Sequence, residues 1–119
     1  MDLSRTPAAA AEAAAEAVRD LNHTTVHAVG AYEYPSEVSA VLGSLSELAT
    51  RLPQALDQAS AWLVRADQEG RLTSDTDTAP DALVDMAAIA LADARAIAGQ
   101  LTAALRTATS HTAHLGGIA

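Results

Sequence analysis

Four histidines and a scatter of hydroxyls are the side chains in this 119-residue sequence whose spacing invites a chemical reading. His23 and His27 stand four apart in a stretch of helical period, and Glu16 and Asp20 precede them at intervals that set all four on one face. Two imidazoles one turn apart with carboxylates beside them could bind zinc or another divalent ion, because neutral imidazole nitrogen is a borderline ligand. His23, His27 and Asp20 are therefore the candidate metal ligands. The plainer reading is a solvated face opposite Val18 and Leu21, and it carries more weight. The expectation is no cofactor, with zinc at the first histidine pair as the alternative.

His111 and His114 form a second pair three apart, near a predicted helix C-terminus where a partial positive charge suits the helix dipole. A di-metal centre of the bundle type needs Glu-x-x-His on two facing helices, whereas Asp20-Leu21-Asn22-His23 is a single approximate copy. Nucleophilic catalysis finds no Gly-x-Ser-x-Gly elbow and no cysteine, and Ser36, Ser39, Ser44 and Ser46 fall at a helix start or on a helix face. No glycine-rich loop opens a helix, so no phosphate cradle is expected. The sequence reads as non-enzymatic.

The elements that would position these residues are helical. Thr6-Pro7 has the form of an N-cap with proline at the first helical position, and residues 8–17 are eight alanines and two glutamates, a strong helix-forming run. This first helix is expected to end near Gly30. Pro35 restarts a helix after the break at Tyr32 and Tyr34, because the residue before a proline is pushed out of the α region. From Val38 to Ala66 the apolar positions, Trp62 among them, keep one three-in-seven phase across Pro53. That proline either kinks one long helix or divides two. If the helix is continuous, the first and last helices run the same way and the histidines gather at one end; if it divides, they lie at opposite ends.

Gly70 ends the middle element, and residues 73–78 form a polar linker expected to be mobile. Thr78 and Asp81 have capping-box spacing, with Pro80 in the first turn of a last helix running to about His111. Its main apolar stripe is Leu83, Met86, Ala87, Ala90, Ala94, Ile97, Leu101, Leu105 and Ala108, and Gly116-Gly117 would close it. Val84, Ile89 and Leu91 lie off that stripe, so the first half of this helix is apolar nearly all round and must be covered on more than one side.

Composition says what could cover it. Half of the chain is hydrophobic, but 30 of those residues are alanine and phenylalanine is absent. Burying a leucine or valine is worth roughly 1.5–3 kcal/mol and an alanine methyl far less, so a lone bundle would have a thin core. A homodimer is the expectation, with a protein partner besides. Its surface is expected at Val84, Ile89 and Leu91, together with Tyr32 and Tyr34, whose amphipathic rings suit an interface. Replacing Ile89 or Leu91 by aspartate should then abolish association.

The formal charge of −8 is spread evenly, all seven basic residues are arginine, and no basic and aromatic residues interleave, so direct nucleic-acid contact is not expected. The most apolar window, residues 82–92, is too short to span a bilayer, and no signal peptide is visible in the opening residues. A cytoplasmic location is the expectation.

The strings Leu21-Asn22-His23, Glu33-Tyr34-Pro35, Val41-Leu42-Gly43 and Leu52-Pro53-Gln54, continuing to Trp62-Leu63, resemble uncharacterised small helical proteins of actinobacteria often found near mobile-element genes. The resemblance covers about residues 18–66 and implies no activity, substrate or cofactor. It implies that the breaks at Tyr34-Pro35 and Leu52-Pro53 belong to the fold, and it suggests an accessory role on an integrated element or phage.

Together these readings predict one all-α domain over residues 1–119, a bundle of three long helices with the middle one kinked at Pro53, or of four shorter antiparallel helices. The expected function is a helical interaction, scaffold or adaptor protein. Alternatives are the histidine metal site and an acidic regulator of a DNA-transaction protein, since an acidic surface can occupy a basic groove.

Overall fold

Each helix opens on a proline. In a computed structural model that describes residues 4–26 and 31–118, these are α1 (Pro7–Thr25), α2 (Pro35–Gln68) and α3 (Pro80–Thr112). Proline suits the first helical position because its missing N–H would have had no partner there. Thr6 caps α1, its hydroxyl oxygen accepting the Ala9 N–H at 3.1 Å. The helix then stops at Thr25, short of the expected Gly30. Thr24 and Thr25 turn their hydroxyls onto the Leu21 carbonyl at 2.8 and 3.0 Å, the kind of local bond with which β-branched residues end a helix. His27 and Gly30 lie outside the described residues.

The middle helix is continuous through Pro53, which settles the choice in favour of three helices over four. Proline cannot supply an N–H to the Ala49 carbonyl four residues back. One turn earlier, Thr50 donates its hydroxyl to the Ser46 carbonyl at 2.9 Å. α2 ends in a Schellman motif: Gly70, at φ 68°, donates to the Asp67 carbonyl at 2.9 Å, and Arg71 donates to the Ala66 carbonyl at 3.0 Å.

The start of α3 differs from its predicted form. Ala79, not Thr78, is the N-cap, so the Thr78 to Asp81 capping box does not form. This placement gives Pro80 the first helical position, and Thr78 donates its N–H to the Thr76 hydroxyl in the linker instead. Ser74 also bonds Thr76, and Leu72 lines a recess with Leu63 and Val84.

α2 and α3 form an antiparallel hairpin. Ser39 and Thr112 share a 2.6 Å hydroxyl bond at one end, and Asp57 meets Arg95 at 2.9 Å near the middle. That ion pair is more than half exposed, so it fixes register more than it stabilises. The seam is lined by small groups: Ala49, Ala66, Val84 and Ala98 are buried, with Ser46 and Thr102 among them. Thr102 gives its hydroxyl to the Ala98 carbonyl at 3.0 Å, so it enters the seam with its donor satisfied.

This seam corrects the expected orientation of α3. The helix is turned by about one residue from the stripe of large side chains, so that Val84, Leu91, Ala98 and Thr102 face α2 while Met86, Ile97 and Leu101 turn outward. Small side chains let the two backbones approach closely, and the large ones are left at the side. Trp62 is likewise displaced from its expected place in the core: it is 50% exposed, with the Arg71 guanidinium 5.6 Å from the ring centroid.

The first helix runs antiparallel to α2, with Leu21 near Val41 and Leu45, and Pro7 near Ala59 and Trp62. It contributes no fully buried side chain, and among the described residues only α2 and α3 bring their backbones within 8 Å. The molecule is a rod, 64 × 29 × 27 Å.

Candidate interaction surface

Facing the solvent beside the seam, α3 presents Leu83, Met86, Ile97 and Leu101, with Ala90, Ala104 and Ala108 at the intervening turns. Positions 83, 86, 90, 94, 97, 101, 104 and 108 fall on one helical track by steps of three and four residues, Ala94 being half-buried. Ile97 is 61% exposed and Met86 53%. Asp93 is the acidic residue at the edge of this track, and Arg95 is drawn away toward α2 by Asp57. α1 leaves the track open because it lies along the side of α2 made by Val41, Leu45, Ala55 and Ala59.

The residues expected at an interface are therefore divided. Ile89 is 66% exposed at the border of the free face. Val84 is 6% exposed and belongs to the seam, and Leu91 is half-buried there, so neither is available to a partner as predicted. They fell off the expected stripe because the true seam runs through them.

Tyr32 is half-buried and Tyr34 exposed at the entry to α2. Tyr34 serves as N-cap residue, but its ring carries no cap; the Glu37 carboxylate does so, accepting the N–H of Tyr34 at 3.0 Å and that of Glu33. Both bonds favour the ionised carboxylate and lower its pKa from the ordinary value, the Tyr34 bond most. The tyrosines, Pro35 and Val38 line a recess of about 350 Å³ that Thr112 and Leu115 complete, and the chain after α3 returns over it, with Gly117 beside Tyr34 and Pro35.

Continuity of α2 places His23, His111 and His114 toward one end of the rod, as a single middle helix requires. Asp20 and His23 are exposed on α1, and His27 is outside the described residues. Among the described residues, no three of histidine, cysteine, aspartate and glutamate stand close enough to hold a metal ion.

The wedge between α1 and α2 was not foreseen. It is a cleft of about 730 Å³ lined by Pro7, Ala11, Ala55, Ala59, Trp62 and Leu63, with Gln58 as its polar member. The signal for it lay in the alanines at 55 and 59 around Trp62, which leave the ring without large neighbours on its own helix.

Comparison with protein-family models, curated proteins and solved structures gave no match. Among the described residues, no helix is long and apolar enough to cross a membrane.

Proposed function

We propose that this chain is a helical interaction protein, a scaffold or adaptor that works by self-association and by contact with a protein partner. The observation that carries this reading is the free face of α3, where Met86, Ile89, Ile97 and Leu101 stand outside a seam whose fully buried apolar residues are three alanines and one valine. Covering these side chains removes apolar area from water that the fold of one chain leaves exposed. The rod form supports the same reading, since long parallel surfaces suit side-by-side assembly.

The test is a pair of single substitutions on the same helix. Ile97→Asp places a charge on the free face and should leave helix content by circular dichroism unchanged while reducing the sedimentation mass to that of one chain. Leu91→Asp places the charge in the seam and should lower thermal stability as well. Equal masses for wild type and Ile97→Asp, with folding intact, would remove this face from the function.

A further inference from the structure

We infer that the free face of α3 is the seat of a second copy of this chain, docked antiparallel about a two-fold axis that passes α3 between Arg95 and Ala96. The inference rests on the self-association proposed above and adds the occupant's orientation and register.

Three observations lead to it. The first is area. The chain exposes 8995 Å², against about 6,100 Å² for a compact monomer of its mass. The excess exceeds the roughly 800 Å² that each partner buries in a standard interface. A second copy is the occupant for which an isologous contact supplies such a surface on both sides at once.

The second is shape. In antiparallel helices, residues pair so that their numbers sum to a constant. With the axis between 95 and 96, Leu83 meets Ala108 of the second copy, Ala90 meets Leu101, and Ala94 meets Ile97. These three layers each set a large side chain against a small one, the alternation by which helices close to short distances without voids, while Met86 falls opposite Leu105 and Ala87 opposite Ala104. A parallel pair would instead set Leu83 on Leu83 and Ile97 on Ile97, and leave alanine opposite alanine in the layers between.

The third is charge. The N-terminal half of α3 carries Asp81, Asp85 and Asp93, and the C-terminal half carries Arg106. Antiparallel docking sets Asp85 level with Arg106 of the second copy and opposes the two helix dipoles. It also brings Asp93, at the edge of the track, within reach of the Gln100 amide of the second copy. Parallel docking would align acid with acid.

The chain has no cysteine, so introduced thiols report cleanly. Full-length Ala90→Cys with Leu101→Cys, oxidised with copper phenanthroline, should shift from monomer to dimer on a non-reducing gel. Ala90→Cys alone should stay at monomer mass, because antiparallel pairing holds the two copies of position 90 about 16 Å apart along the axis, beyond the reach of a disulfide. Ala94→Cys with Ile97→Cys is the second pair, used if the first loses helix content when reduced. Cross-linking by the single variant would overturn the orientation. A dimeric wild type in which neither folded double variant cross-links would overturn the register and face while leaving self-association standing. A wild type of single-chain mass at all concentrations would overturn both.

Discussion

At the residue scale, Glu37 ties the tyrosine break to α2. Its carboxylate accepts two backbone N–H groups, and its folded pKa lies below the ordinary value. A depressed carboxyl pKa stabilises the fold above the unfolded-state value, and that contribution is lost as pH falls through the folded one. Thermal melts from neutral to acidic pH should therefore show wild type losing its advantage over Glu37→Gln, with the two converging at the acid end; a constant gap would deny the bonds their role. Gly70 supplies a second test, since an L-residue at its positive φ is strained: Gly70→Ala should cost about 1 kcal/mol in denaturant unfolding. Both features were only partly legible in the sequence. Gly70 announced itself as a stop, whereas Glu37 looked like a first-turn acid until the backbone at Glu33 and Tyr34 was seen to fold toward it. The histidines were conspicuous as letters, but spacing along one helix says nothing of what a neighbouring helix brings alongside.

At the scale of elements, all three helices and their proline starts could be read from period and punctuation. Less legible was which face of α3 meets α2. Hydropathy ranks leucine and isoleucine above alanine and threonine, so the predicted stripe followed the larger residues, and close backbone approach favoured the smaller ones. Ala49 and Ala98 are buried in that seam, so Ala98→Leu should destabilise by about 1–3 kcal/mol through overpacking. A stability gain would mean that the seam has room. Pro53 lies within a continuous helix, where its ring and missing N–H are costly, so Pro53→Ala should raise the unfolding midpoint, by up to about 3 kcal/mol in free energy. Loss of stability would show that the proline contributes packing that outweighs the backbone penalty. α1 is the least committed element, because it stands farther off and buries no side chain fully. Its amides should exchange with solvent faster than those of the seam, a contrast that hydrogen exchange measures directly.

At the scale of the whole molecule, the thin core inferred from composition and the large exposed surface describe the same condition. The radius of gyration is 19.1 Å, against about 13.5 Å for a compact chain of this length. Length and alanine content forecast the shortage of buried volume; they could not forecast a rod, because shape depends on Pro53 leaving α2 unbroken. The most direct measurement is the absolute solution mass of the wild-type chain, by light scattering after gel filtration over a tenfold concentration range. The expected result is a mass of two chains at the upper end, with Ile97→Asp at the mass of one. A mass of one chain throughout would contradict self-association through the free face of α3.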